Sequence, residues 1–316
     1  MSTIADASPP VPTTSTSTSA TTIAPDGSTT SASTSPTSTS TTSTSTTVEI
    51  DGDGPLAGRP FDVFVPTTYD GTSDVPLVVM LHGYTASGAL QESYFGVQPL
   101  AEELGFLYVH PDGTADPRGN RFWNATDACC NLAGADVDDV AYLSALVAEV
   151  QRRYRVDPKR IFFVGHSNGG FMSYRMACER PDLIAAIASL AGATFAEAGV
   201  CHPSEPVSVL QVHGTADNVI PYDGGAIRDN AFPSAATSVG TWAGYDGCTG
   251  ELASTGTTID LDSSIDGEES SVEAFTACPD GVAVELWTID GGTHIPELSS
   301  AFTRDVVEFL LDHPKP

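Results

Sequence analysis

The chain has 316 residues and a formal net charge of −28, with 41 acidic residues against 13 lysines and arginines. Such a charge disfavours binding to nucleic acid and to anionic membrane surfaces. No apolar run approaches the roughly 20 residues that a membrane-spanning helix requires. Composition therefore excludes nucleic-acid binding and membrane insertion as first explanations of what the protein does.

The first 47 residues differ in composition from the rest of the chain. Serine and threonine make up 30 of these 47 residues, and such a segment has too little apolar surface to fold. We predict a disordered linker over residues 1–47, of the kind that tethers extracellular domains, and one domain over 48–316. The N-terminal residues lack the basic and apolar regions of a signal peptide. Either the signal has been removed or the chain is cytosolic, and the linker and the cysteines favour removal. We therefore expect a secreted, monomeric protein.

Beyond the linker, apolar runs typical of strands alternate with stretches typical of helices. Strands are predicted near residues 59–65, 76–82, 105–110, 160–165, 184–190, 207–213 and 282–289, with an edge strand at 46–50. Helices are predicted near residues 89–104, 138–154, 168–180, 235–245 and 299–312. This alternation predicts an α/β protein with a mostly parallel central sheet and helices on both faces.

One short motif indicates a nucleophile. Gly165-His166-Ser167-Asn168-Gly169 has the pattern G-x-S-x-G and lies between a predicted strand and a predicted helix. In that setting the serine occupies a sharp turn that needs small neighbours. The turn lifts the Ser167 hydroxyl out of the sheet, at the positive end of the following helix. Ser167 is therefore the predicted nucleophile.

A neutral serine requires a base within reach. His294 follows the last predicted strand, and two glycines, Gly291 and Gly292, precede it in a loop suited to delivering an imidazole. We predict His294 as that base. The remaining histidines are assigned to turns, to the surface or to the position beside the nucleophile: His82, His110, His166, His202, His213 and His313.

An acidic residue should orient the base. Asp217 lies just past a predicted strand end, between Ser167 and His294 in the chain. This gives the order serine, acid, histidine, and the Asp217 carboxylate would fix the tautomer of His294. Asp223 and Asp290 are the rival acids, and an ordinary turn role for Asp217 is the alternative.

Acyl transfer also needs two backbone donors for the tetrahedral intermediate. The amides of Tyr84, after an early strand, and of Asn168, after the nucleophile, are the predicted oxyanion-hole donors. We predict substrate contacts from Tyr84, Trp123, His166 and Ile295, which would line an open, mainly apolar trough. The alternatives are that Trp123 packs beneath its own loop and that Ile295 belongs to the core.

Six cysteines suit an oxidising compartment. Cys248 and Cys278 bracket an acidic, Ser-rich insert over 250–277, and a bond between them would staple a floppy excursion. Cys178 lies near the end of the predicted nucleophile helix, where it can reach Cys201 in the segment that returns to the next strand.

The last two cysteines, Cys129 and Cys130, are adjacent. They either pair with each other or pair elsewhere, and the sequence does not choose between these connectivities. Neither a C-x-x-C motif nor a cluster of histidine and cysteine occurs, so we predict no metal and no other cofactor.

Several motifs of the chain resemble those of secreted esterases of the polyhydroxybutyrate depolymerase and feruloyl esterase group: LHGYTASG, HPDGT, WNATDACC, VGHSNGGFMSYRMACERPDL, HGTADNVIPYDGG and GGTHIP. The resemblance covers roughly residues 56–313. It implies an α/β-hydrolase fold without a large lid and a triad on Ser167, Asp217 and His294. Many feruloyl-type members carry tryptophan and proline shortly after the histidine, whereas Ile295 stands here. That departure disfavours an aromatic-sugar ester as substrate.

Residues and resemblance together predict a secreted serine carboxylic-ester hydrolase that works through an acyl-enzyme. Its expected partner is an ester substrate, polymeric, such as polyhydroxybutyrate. One alternative is an esterase for feruloyl or other aromatic-acid esters on plant polysaccharide, or for a synthetic aromatic polyester such as PET. A non-catalytic hydrolase-fold binding protein is a third possibility, but the complete triad argues against it.

Overall fold

The computed structural model describes residues 43–49 and 53–316. Residues 1–42 of the predicted linker lie outside the described residues. The strands are, in chain order, β1 (Thr44–Val48), β2 (Phe61–Val65), β3 (Val75–Leu81), β4 (Leu107–Val109), β5 (Thr114–Ala115), β6 (Arg121–Phe122), β7 (Val156–His166), β8 (Ala186–Leu190), β9 (Ser208–Gly214), β10 (Gly225–Ile227), β11 (Asn230–Phe232), β12 (Leu252–Ile259), β13 (Ser270–Phe275) and β14 (Val284–Ile289).

The helices are α1 (Gly88–Phe95), α2 (Val97–Leu104), α3 (Asp139–Arg153), α4 (Asn168–Glu179), α5 (Ala235–Tyr245) and α6 (Phe302–Asp312). A short 3₁₀ helix also covers Ala198–Val200. Within the described part of the chain, none of the helices has both the length and the apolar composition that crossing a bilayer demands.

Ten of the strands form one sheet in the order β1-β2-β4-β3-β7-β8-β9-β14-β13-β12. The strands from β4 to β14 in this order run parallel, and an antiparallel pair extends the sheet at each end. Across the centre, Leu81 pairs with Gly165, Gly165 with Ser189, and Ser189 with Gln211. The carboxyl ends of these strands therefore meet at one edge, and the loops with the predicted site residues leave from that edge.

Helices cover both faces because the central strands are apolar on both sides. In β3, Leu77 and Val79 belong to the buried cluster that includes α3, α4 and α5. The alternate residues Val78 and Met80 belong to the cluster that includes α1, α2 and α6. The predicted architecture, a mostly parallel sheet between two layers of helices, is confirmed.

Three predicted elements differ from the structure. The helix predicted near 89–104 is divided at Gly96, whose φ of 67° lies in the left-handed region and ends α1. The insert 250–277, predicted to be floppy, instead supplies β12 and β13, which extend the sheet beyond β14. The edge strand begins at Thr44, so residues 44–47 belong to the sheet and not to the linker.

The structure joins all six cysteines in disulfides. Cys248 bonds to Cys278 at the base of the β12–β13 hairpin, and Cys178 at the end of α4 bonds to Cys201. The adjacent residues Cys129 and Cys130 bond to each other. This settles within the fold the connectivity that the sequence left open.

A partly buried ion pair joins the chain before β2 to the start of α3. Arg59 Nη1 lies 2.8 Å from Asp139 Oδ1, and its guanidinium lies 3.5 Å from the centre of the Tyr142 ring. The second oxygen of Asp139 accepts a hydrogen bond of 2.7 Å from the amide of Asn124. The Asp139 side chain is fully buried, so both of its oxygens are satisfied by these two partners.

Replacing Asp139 by alanine should lower the free energy of unfolding by about 2–4 kcal/mol, because the partly buried Arg59 charge and the amide of Asn124 both lose their partner. The matched control is Asp138→Ala one residue earlier. Asp138 is exposed and caps α3 through a 2.8 Å hydrogen bond from Ala141, a contact worth about 1 kcal/mol. Thermal and urea unfolding of both variants measure the difference, and equal losses would contradict the assignment.

Candidate active site

The turn that carries Ser167 is strained and tightly packed. Ser167 has φ 53° and ψ −119°, a backbone conformation that residues other than glycine rarely adopt. A Cβ at Gly165 would lie 2.3 Å from the backbone of Gly169, and one at Gly169 would lie 2.0 Å from the carbonyl oxygen of Leu81. The two glycines of the motif are therefore required by close backbone contacts between β7, α4 and β3.

Ser167, His294 and Asp217 form a continuous hydrogen-bonded series. His294 Nε2 lies 3.0 Å from Ser167 Oγ, and His294 Nδ1 lies 2.7 Å from Asp217 Oδ2. The serine follows β7, the acid follows β9 and the histidine follows β14, so the parallel sheet brings together residues separated by 127 positions in the chain. This order of contacts suits proton transfer from the serine hydroxyl to the imidazole.

Asp217 is held as a carboxylate. Its Oδ1 accepts hydrogen bonds of 2.8 Å from the amides of both Val219 and Ile220. Burial by itself raises the pKa of Asp217, but hydrogen bonds from His213 and His294 outweigh burial and hold the pKa well below its usual range. An ionised Asp217 therefore faces His294 Nδ1 throughout the ordinary pH range.

Two backbone amides lie beside the nucleophile. Asn168 is the first residue of α4, so its amide has no acceptor within the helix. Around Tyr84, the Gly83 amide donates to Gln91 Oε1 and the Thr85 amide donates to the carbonyl of Arg121. The Tyr84 amide itself has no acceptor among residues 43–49 and 53–316. Tyr84 and Asn168 therefore stay the predicted oxyanion-hole donors.

His166 contacts the loop of the predicted base. Its Nε2 donates a 2.8 Å hydrogen bond to the carbonyl of His294, and the two rings lie 5.1 Å apart. Burial lowers the pKa of His166 to about 4, so the ring is neutral at ordinary pH. Tyr94 donates to the carbonyl of Pro296 at 2.8 Å, and together these bonds fix both ends of the segment around His294.

The acidic insert also holds the loop of His294. The amide of Ser263 donates to the carbonyl of Glu297 at 2.7 Å, and the amide of Ser299 donates to the carbonyl of Leu261 at 3.0 Å. Asp262 and Leu298 form an isolated bridge between the same segments. The turn between β12 and β13 therefore supports the segment that follows His294.

A cleft of about 580 Å³ opens over Ser167. Its walls are mainly apolar or aromatic, with Tyr84, Leu90, Tyr94, Val219 and Ile295 among the lining residues. Leu90, Val219 and Ile295 are 60%, 56% and 62% exposed, and they are three of the five large hydrophobic side chains that the structure describes as exposed. Tyr84, His166 and Ile295 are among the residues that line this cleft, and substrate contact by them stays a prediction.

The prediction that Trp123 lines the cleft is wrong. Trp123 is fully buried, and its indole N–H donates to the carbonyl of His82 at 3.1 Å. Its ring stacks on Tyr142 at a centroid distance of 6.4 Å. Its backbone is held by Asn168, whose side-chain amide bonds both the N–H and the carbonyl of Trp123. Trp123 therefore supports the nucleophile turn through its two hydrogen bonds with Asn168.

Sequence reasoning missed the role of His213, which it assigned to a turn. His213 is buried, and its Nε2 lies 3.3 Å from Asp217 Oδ2. Its spacing of four residues from Asp217 is visible in the sequence. That spacing alone did not show that the chain folds back and brings the two side chains into contact.

Comparison with solved structures identifies the class of fold. The acetyl xylan esterase from Aspergillus awamori superposes with a TM-score of 0.59, over 84% of this chain and 99% of that chain, at 16% sequence identity. A likeness at this identity establishes the fold alone. The protein has an α/β-hydrolase fold, as the resemblance of its motifs implied.

Sequence comparison then places the chain in a family. The family described as Esterase PHB depolymerase matches residues 61–242, so the chain belongs to this family of esterases. Feruloyl esterase B of Piromyces equi is 31% identical over 237 residues, and the putative esterase NocK of Nocardia uniformis subsp. tsuyamanensis is 33% identical over 149. The alignments cover 72% and 47% of this chain but only 41% and 42% of those relatives.

Proposed function

We propose that the protein is a serine ester hydrolase. The observation that carries the proposal is the hydrogen-bonded series from Ser167 through His294 to Asp217, with contacts of 3.0 and 2.7 Å. Ser167 Oγ attacks the ester carbonyl while His294 Nε2 takes its proton, and the Tyr84 and Asn168 amides bind the oxyanion. His294 then protonates the leaving alcohol, and a water molecule activated by the same imidazole releases the acid from Ser167.

The substrate that the cleft favours is an ester with apolar segments on both sides of the scissile bond. Leu90, Val219 and Ile295 surround the cleft as exposed side chains in a strongly acidic protein. An exposed apolar patch of this kind binds by area more than by hydrogen bonds. A neutral polyester chain of the polyhydroxybutyrate type fits both the patch and the family to which the chain belongs.

An aromatic-acid ester is the second candidate. Tyr84 and Tyr94 lie in the cleft, where either ring can contact an aromatic acyl group. The likeness to Feruloyl esterase B also supports this candidate. An aromatic polyester of the PET type would use the same contacts.

The three disulfides fit an enzyme that works in an oxidising, extracellular setting.

A panel of esters tests the proposal. The purified chain is assayed on p-nitrophenyl acetate and butyrate, methyl ferulate, polyhydroxybutyrate film and aromatic polyester film. Turnover of polyhydroxybutyrate film above that of methyl ferulate supports the polyester candidate. Turnover of methyl ferulate above that of polyhydroxybutyrate film supports the aromatic-acid candidate. No turnover of any ester would refute the proposed hydrolase.

Replacing Ile295 by alanine should lower polyester turnover by roughly fivefold, since about 1 kcal/mol of apolar contact with a bound chain is lost. Turnover of p-nitrophenyl acetate should stay within twofold, because this small ester does not reach the exposed apolar side chains around the cleft. Leu104→Ala is the matched control, because Leu104 is 37% exposed on α2 and does not line the cleft. Equal losses for both variants on polyhydroxybutyrate film would refute a role for Ile295 in binding the polyester chain.

A further inference from the structure

A buried series of polar contacts continues behind Asp217, away from the cleft. The Tyr174 hydroxyl donates to Gln211 Oε1 at 2.9 Å, and Gln211 Nε2 lies 3.0 Å from His213 Nδ1. His213 Nε2 lies 3.3 Å from Asp217 Oδ2. Tyr174, Gln211 and His213 are all buried. The series joins α4 through β9 to the triad carboxylate, and the proposed reaction gives it no role.

The contacts determine which nitrogen of His213 carries the proton. Gln211 Nε2 lies 3.0 Å from the carbonyl of Gly192, which can only accept, so this atom must be the amide nitrogen. Its other N–H then points to His213 Nδ1, which must be an unprotonated acceptor. The proton of neutral His213 is therefore on Nε2, between the carbonyl of Ile220 at 2.8 Å and Asp217 Oδ2 at 3.3 Å.

Two imidazoles consequently share one carboxylate oxygen. Asp217 Oδ2 faces His294 Nδ1 at 2.7 Å and His213 Nε2 at 3.3 Å. We infer that His213 is a positioning residue that sets the basicity of His294. The His213 Nε2–H donates to the carbonyl of Ile220 and lies 3.3 Å from the same oxygen of Asp217 that faces His294. The inference rests on the proposed serine-hydrolase function, in which His294 is the base.

The physical effect is a competition for negative charge. A donor on Oδ2 draws charge from the carboxylate and weakens its attraction for a protonated His294. When that donor is removed, the Asp217 charge acts more fully on the imidazolium, so His294 stays protonated to higher pH. The amides of Val219 and Ile220 still hold Oδ1, so the carboxylate keeps its orientation.

Three other titratable groups near His213 and the triad keep one charge state near neutral pH. Burial raises the pKa of Tyr174 and of Tyr222, whose ring meets that of His213 edge-on at 5.7 Å. Burial lowers the pKa of His166 to about 4. A shift of the acidic limb of the pH–rate profile between variants therefore reports on His294 and on its contacts with Asp217 and His213.

The test compares His213→Leu with His213→Gln. Leucine removes the N–H beside Asp217, whereas the glutamine amide nitrogen is the same number of bonds from Cα as His213 Nε2 and can place an N–H there. For His213→Leu on p-nitrophenyl butyrate, the acidic limb of kcat/KM should move up by roughly half a pH unit to one unit. At pH below the midpoint of that limb, kcat/KM should therefore fall roughly three- to tenfold, with little change on the plateau. His213→Gln should return the limb toward that of the parent.

A second readout does not depend on turnover. The low-field proton resonance of the His294–Asp217 hydrogen bond, followed by NMR over the same pH range, should shift its titration midpoint in His213→Leu and regain it in His213→Gln. Equal kcat losses in the two variants with unmoved limbs and an unmoved proton midpoint would refute the inference and leave His213 a packing residue. An inactive parent would refute the hydrolase instead, while the NMR comparison would still decide the contact.

Discussion

Replacing Ser167 by alanine should lower kcat on p-nitrophenyl butyrate roughly 10³-fold or more. The variant has no oxygen to form the acyl-enzyme, and only the oxyanion donors and the cleft remain to accelerate attack by water. Ser167 Oγ has its hydrogen bond with His294 Nε2, and its removal leaves the packing of Gly165 and Gly169 in place. The melting temperature should therefore stay close to that of the parent.

Covalent labelling provides the matched measurement. A fluorophosphonate probe should add one equivalent to Ser167 of the parent, located by peptide mass spectrometry, and none to the variant. Hydrolysis within tenfold of the parent rate by a folded Ser167→Ala protein would remove Ser167 from the mechanism, whatever the labelling showed.

Replacing Asp217 by asparagine should lower kcat by roughly 10³- to 10⁴-fold. The amides of Val219 and Ile220 both donate to Oδ1, so the carbonyl oxygen of the new side chain takes that position. Its NH₂ group then faces His294 Nδ1 and must donate to it. The proton of His294 moves to Nε2, and that nitrogen no longer accepts the proton of Ser167.

The rival acids supply the controls. Asp290 is exposed and accepts a hydrogen bond of 3.2 Å from Thr215, and Asp223 is likewise exposed. Asp290→Asn and Asp223→Asn should each retain kcat within twofold on p-nitrophenyl butyrate. A loss for either that matched the loss for Asp217→Asn would move the orienting acid away from Asp217.

The strand–helix alternation was readable because buried parallel strands are apolar on both faces and their helices have clear ends. The β12–β13 hairpin was not readable for the opposite reason. Almost all of β12 is exposed, with serines and threonines in place of an alternating apolar pattern. The hairpin joins the sheet where β13 pairs with β14, and the Cys248–Cys278 bond closes its base. Neither feature is visible within the segment itself.

The residues of the proposed site could be predicted where the signal lies in the neighbouring sequence. Ser167 has its glycine neighbours, and Asp217 and His294 each follow a strand-like run. The directions of loop side chains were not predictable in this way. The indole N–H of Trp123 points inward to the carbonyl of His82, 41 positions away in the chain. Gln211, His213 and Asp217 are close in the sequence, but the contacts among their side chains depend on how the chain turns after β9.

The two outer strands of the sheet have a consequence for solubility. Strand β1 reads TSTTV and β12 reads LASTGTTI, so neither carries a charged residue, although charged side chains commonly prevent edge strands from pairing with other copies. We expect repulsion between whole molecules, from the net charge of −28, to oppose such pairing. That repulsion weakens toward the sequence isoelectric point of about 4.2. Acidification should therefore favour pairing between the edge strands of different copies.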